Sequence, residues 1–301
     1  MTVATVAIKV VPLDMTFDDQ YQGCGPAMTV ALLALNCFEF QKNPDFALFW
    51  TKAVPEWHSQ GSRVSPLSSP DQTIAIMAYT MPDVYTDFNA AVPMAGHSPQ
   101  EYQDNFHFKT LHFLLTQTLR ILRDTQNGQC LDVVHQDCGV RFEAQRGDSI
   151  WFGQFLITWL RTTTEIRCPD ETEFQVHTCH GAGIQSFSQN PEYEGVMIPP
   201  FETFEVTKVT REGDKTQIQL HSTGTSSKYI CKWLKGDTTG HGGHCGHHDH
   251  QDKLDPQSNE GIKATKATTA TLATMVTITT KTTVTTIITK TPWSTGLPQP
   301  L

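Results

Sequence analysis

The densest run of side chains able to bind or react is His241, His244, Cys245, His247, His248, Asp249 and His250. Imidazole and thiolate suit Zn²⁺, Cu²⁺ or Ni²⁺. Gly242, Gly243 and Gly246 are interleaved with them, so the backbone is not held in one ligand geometry. Adventitious metal capture of modest affinity is the reading, and no firm metal site is assigned. Cys179 beside His180, in HTCHG, has the makings of a thiol nucleophile and its base. His107 and His112 sit in an amphipathic stretch, where packing or surface roles are the plainer account. Arg141 and Arg146 are cations whose plainer role is surface salt bridging.

The eight cysteines are Cys24, Cys37, Cys130, Cys138, Cys168, Cys179, Cys231 and Cys245. They form no CxxC pair, which argues against a zinc ribbon or a thioredoxin-type motif. Scattered and even in number, they fit an oxidising, extracellular or secretory compartment. With 301 residues, 38% hydrophobic and 18% charged, the chain can build one sizeable core plus a tail. A formal charge of -9 disfavours a nucleic-acid partner. No apolar run reaches the roughly 18 residues of a membrane span.

The first half reads as helices that could carry a site. Pro26–Asn36 has an apolar face. Asn43-Pro44, Ser69-Pro70 and Ser98-Pro99 each place a capping residue before a proline at the first helical position. Pro55 is expected to end or kink the second helix. Ser98, with Glu101 as capping-box partner, opens what reads as the longest helix, running through Phe106, Leu111 and Leu119 to about Asp124. The second half switches to period two. Strands are expected at 131–134, 140–143, 149–152, 155–160, 173–178, 196–198, 202–209, 217–220 and 228–233, with a hairpin turn at Arg211-Glu212-Gly213-Asp214. Helices first and strands later argue an α+β fold.

Residues 1–13 read as a truncated or poor signal segment, mildly apolar without a basic start. Residues 14–235 form the folded domain. Residues 236–301 are His-rich and then Thr-rich, too polar for a packed core, and are read as a disordered tail.

An ordered set of segments carries a family resemblance: FDDQY at 17–21 with Cys24, IMAYT at 76–80, NFHFKTLHFLL at 105–115, RFEAQRG at 141–147, FGQF at 152–155, HTCHG at 177–181, VMIPPF at 196–201 and YICKW at 229–233. From about Leu13 to Lys235 the chain resembles the arginine-specific mono-ADP-ribosyltransferases of vertebrate cell surfaces, the bird members especially. The resemblance implies an N-terminal helical part packed on a two-sheet β core that cradles NAD, and the disulfides Cys24–Cys231 and Cys130–Cys179. Cys37, Cys138, Cys168 and Cys245 are then surplus, and are read as free thiols at least as readily as further bridges. The implied reaction transfers ADP-ribose from NAD (or NADP) to a protein arginine. Its transition state gathers positive charge on the ribose, which a carboxylate stabilises, while an arginine fork grips the pyrophosphate.

At each of these places the sequence departs from the family pattern. His135, in Val134-His135-Gln136, stands at the family's arginine, and a largely neutral imidazole cannot grip phosphate bidentately. The hydroxyl cluster after FGxF becomes Leu156-Ile157-Thr158-Trp159; only Thr158 keeps a hydroxyl, and Trp159 is bulky enough to fill ribose space. The family's Glu-x-Glu matches Tyr193-Glu194-Gly195, so Tyr193 and Gly195 occupy the acid positions. Glu192 and Glu194 lie one residue out of step and would face the cleft only if Gly195 bulged. The resemblance therefore implies a family member whose transferase activity is weak or lost. The alternative is a non-catalytic module on the same fold that binds an NAD-like ligand or a protein.

Overall fold

The computed structural model describes residues 7–9, 16–139, 141–160, 171–192 and 194–235. Cys168, Tyr193, Cys245 and the His- and Thr-rich tail lie outside the described residues.

Prolines open five helices: α1 (Gly25–Lys42), α2 (Pro44–Ser59), α3 (Pro70–Tyr79), α4 (Pro82–Ala95) and α5 (Pro99–Asp104). Two are capped as their sequences predict. The Asn43 side chain accepts from Phe46 N at 3.0 Å, and the Ser98 hydroxyl from Glu101 N at 3.0 Å. Two helical expectations need correction, and one helix was not expected. Pro55 neither ends nor divides α2, which continues to Ser59, because Trp57 beyond it is buried and its indole donates to Arg63 O at 2.8 Å. The stretch after Met81 is a full helix, α4, itself carrying Pro93.

The long helix expected from Ser98 to Asp124 is two, α5 and α6 (Lys109–Thr125). The chain breaks between them so that both Phe106 and Phe108 turn into the helical core. α6 begins without a local side-chain cap. The buried Glu39 carboxylate of α1 supplies one from a distance, accepting from the backbone N–H groups of Lys109 at 2.6 Å and Thr110 at 2.8 Å.

The strands are β1 (Ala7–Lys9), β2 (Leu131–Asp137), β3 (Arg141–Glu143), β4 (Ser149–Ile150), β5 (Leu156–Leu160), β6 (Glu171–Thr178), β7 (Ala182–Gly183), β8 (Gly195–Ile198), β9 (Glu202–Glu212) and β10 (Lys215–Thr225). β1 and β3 form a parallel pair. The other eight make one curled mixed sheet, ordered β4-β9-β10-β6-β2-β5-β8-β7, in which only β6 and β10 run parallel. β9 turns into β10 through Gly213-Asp214, with Gly213 at φ +61. That is the hairpin the sequence predicts, at a position that favours glycine.

The sheet separates two cores. On β8, Val196 and Ile198 face the β interior with Phe174, Phe204 and Ile218, while Met197 faces the helices with Phe155 and Phe187. The segment 228–233, expected as a strand, is irregular and ends in a short helix, α7 (Lys232–Lys235). Its backbone bonds go to acids near the start of the domain instead of to a strand. Asp18 accepts from Lys228 N and Tyr229 N, and Asp19 from Lys232 N at 2.8 Å. The Cys24–Cys231 disulfide closes the same join, and Cys130–Cys179 links the start of β2 to the end of β6. Cys37 and Cys138 are disulfide-bonded as well, so no described cysteine is a surplus thiol. Linear spacing carries no information on which sulfurs meet in space. Among the described residues no helix is long and apolar enough to cross a membrane.

Candidate active site

The residues singled out by sequence fall where three strands meet. Among the described residues β2 and β5 pair at Val133↔Leu160 and Val134↔Trp159. β5 then pairs with β8 in one unbroken register, Leu156↔Ile198, Ile157↔Met197, Thr158↔Val196 and Trp159↔Gly195. A bond from Leu160 N to Glu194 O at 3.2 Å extends the same register by one residue. No bulge is present at Gly195. Paired residues share a face and successive residues alternate, so Trp159 and Gly195 are on one face, and Thr158, Val196 and Glu194 on the other.

His135 is partly buried on β2. Its Nδ1 lies 3.2 Å from Ile157 O and its Nε2 3.5 Å from the Asp137 carboxylate. Its ring is parallel to the Trp159 indole, 2° between planes and 6.3 Å between centroids. The backbone N–H of Ile157 donates to the Tyr85 hydroxyl of α4; burial, helped by the Asp137 charge, raises its phenol pKa. Tyr85 and Asp137 were not singled out in the sequence, and no local motif marks either one. Thr158 is fully buried, and its hydroxyl donates to Val196 O at 2.9 Å. That donor is spent within the sheet.

Glu192 and Glu194 are exposed. Glu194 and the neighbouring Gly195 both border a shallow cleft of about 200 Å³ with Gln126, Leu131, Leu160, Gly183, Gln185 and Val196. The Gln126 amide pins its wall, donating to Gly183 O and accepting from Gly183 N. Neither His135 nor Thr158 lines this cleft.

The Cys179–His180 pair is not a nucleophile and base, because Cys179 is in a disulfide. His180 Nδ1 lies 3.2 Å from the Arg123 guanidinium; burial and that charge both lower its pKa. The acid that organises this loop is Glu202. Fully buried, it accepts from Cys179 N at 2.7 Å, His180 N at 3.1 Å and the Thr178 hydroxyl at 2.6 Å, while burial raises its pKa.

A family model described as NAD:arginine ADP-ribosyltransferase matches residues 12–228. The chain belongs to this family. The Gallus gallus NAD(P)(+)–arginine ADP-ribosyltransferase 2 is 44% identical over 223 residues, covering 73% of this chain and 71% of the relative. The human ecto-ADP-ribosyltransferase 4 is 36% identical over 232 residues, covering 74% and 72%. The crystal structure of the eucaryotic mono-ADP-ribosyltransferase ART2.2 superposes with a TM-score of 0.64 at 28% identity, covering 74% of this chain and 98% of that one. A mutant of that enzyme has been solved in complex with NAD. The α+β fold read from the sequence is thus the ADP-ribosyltransferase fold.

Proposed function

We propose that this ADP-ribosyltransferase-family domain acts outside the cell or in the secretory pathway, with weak or no transfer of ADP-ribose to protein arginine. One observation carries the reading. Trp159 lies directly across from Gly195, the position matched to the family's catalytic acid, and parallel to His135, matched to its arginine. The indole then faces the position matched to the family's catalytic acid, where an active enzyme would admit the nicotinamide ribose. The regular ladder leaves Glu194 on the opposite face from Gly195. Loss of such an electrostatic contribution costs about 10²–10³ in rate per group. The residues present do not form the expected cradle for NAD, so no step is assigned to them.

The compartment is supported by the disulfides and by relatives whose names describe them as GPI-linked or ecto-enzymes. The acceptor of an active form would be an exposed protein arginine. The test is incubation with labelled NAD and an arginine-rich acceptor, with calorimetric NAD titration alongside. Absent labelling supports the proposal, and NAD binding without turnover would make the domain a ligand-binding module. Robust labelling that Glu194→Gln abolishes would overturn it.

A further inference from the structure

The outer face of the curled sheet carries a row of residues in direct register across four neighbouring strands. Asp132 of β2 pairs with His177 of β6, His177 with His221 of β10, and His221 with Glu205 of β9. Their neighbours Val133, Val176, Leu220 and Phe204 all face the β interior, so all four side chains are on the outward side. The two imidazoles are stacked, 4.5 Å between centroids and 13° between planes. His177 Nδ1 is 2.8 Å from Asp132 Oδ1.

We propose that His177 and His221 form a binding site for a borderline divalent transition-metal ion such as Zn²⁺, with a carboxylate completing the protein ligands. The argument is geometric and chemical. Adjacent strands are about 4.8 Å apart, which brings two facing imidazoles within reach of one ion at metal–nitrogen distances near 2.0–2.1 Å after small rotamer changes. The Asp132 carboxylate accepts a hydrogen bond from the Nδ1–H of His177, which fixes the tautomer and leaves Nε2 as a lone-pair donor. Ligating histidines are commonly oriented this way. Glu205, beside His221, offers a hard oxygen, and water fills the remaining positions. Cys130 and Cys179 also approach a ligand nitrogen of His177 within 4.8 Å. Their sulfurs are locked together in a disulfide, so the ion would take imidazole and carboxylate, not thiolate.

The site is independent of the transferase reading, because it is on the sheet's outer face and uses none of the residues discussed there. The test must separate it from the histidines at 241–250. Zinc is therefore titrated calorimetrically into the full chain with His241, His244, His247, His248 and His250 all replaced by Ala. The expected result is one ion per chain at micromolar concentration, weakened at least tenfold by His177→Gln or His221→Gln and less by Asp132→Asn. Co²⁺ absorption in the visible provides a second readout of imidazole ligation. Circular dichroism checks that each variant is folded. No zinc heat in the tail-substituted chain, or binding that survives the double substitution His177→Gln/His221→Gln, would overturn the proposal.

Discussion

Single side chains in this domain are defined by the partner each finds, and His112 shows this most directly. It is fully buried; its Nδ1 accepts from the Tyr21 hydroxyl at 3.0 Å, and its Nε2–H donates to Phe17 O at 3.2 Å. The Nδ1 bond requires the neutral ring; the Nε2–H bond to Phe17 would survive protonation and raises the pKa, but burial outweighs it and pushes the pKa down to about 3. In the unfolded chain the pKa is about 6.5. Between those values the unfolded state holds a proton that the folded state refuses. The stabilisation is therefore complete above pH 6.5 and is lost as pH falls toward 3. Urea midpoints measured from pH 7 to 4 should fall with acid, and more shallowly for His112→Gln. A parallel decline in both proteins would contradict this. At the candidate site, His135→Arg, Trp159→Ser and Gly195→Glu together should raise turnover of labelled NAD at least tenfold. Gly195→Glu alone should not, because its buried position faces the unremoved indole.

At the level of elements, junctions between segments govern what the chain can hold in place. The start of α6 depends on Glu39, which no pattern within α6 announces. Glu39→Ala would strand two buried helix N–H groups and remove a nearby favourable charge from the Lys109 ammonium, a loss of about 3 kcal/mol. A denaturant titration should show that loss, with Glu39→Gln milder because its amide oxygen still accepts. The same junction explains why α5 and α6 read as one helix: apolar spacing runs through Phe106 and Phe108, and the break follows from where those rings pack. The strand expected at 228–233 fails for a related reason. Its alternating residues suit a strand, but Asp18 and Asp19 capture its backbone donors. The cap signals at Asn43 and Ser98 and the Gly213 turn were legible because each acts within three or four residues.

At the scale of the whole domain, the Cys24–Cys231 and Cys130–Cys179 disulfides close loops of very different length. Cys24 and Cys231 are separated by 207 residues, Cys130 and Cys179 by 49. Chain-entropy reasoning assigns them about 5 and about 4 kcal/mol, a difference near 1 kcal/mol. Paired serine substitutions should therefore lower stability more for Cys24/Cys231 in equilibrium unfolding. Equal losses would mean that native strain or residual unfolded-state structure outweighs loop length. The join at Cys24–Cys231 is also where Asp18 and Asp19 grip the far end of the domain, so its removal should loosen both ends together.

The sequence by itself determined the α+β class, the family resemblance, both fully described disulfides and the substitutions at 135, 156–159 and 193–195. The class follows from residue identity, short-range capping and period, which are properties of the chain read in order; the two pairings and the meaning of the substitutions came only through the family resemblance. Only the tertiary structure decided that the ladder passes Gly195 without a bulge, that Trp159 pairs with Gly195 and runs parallel to the His135 ring, and that the Thr158 hydroxyl is already engaged. It alone brought Asp132, His177, His221 and Glu205 into one row. Strand pairing joins residues dozens of positions apart, and the register that aligns them is set by packing of the whole sheet, not by any local segment.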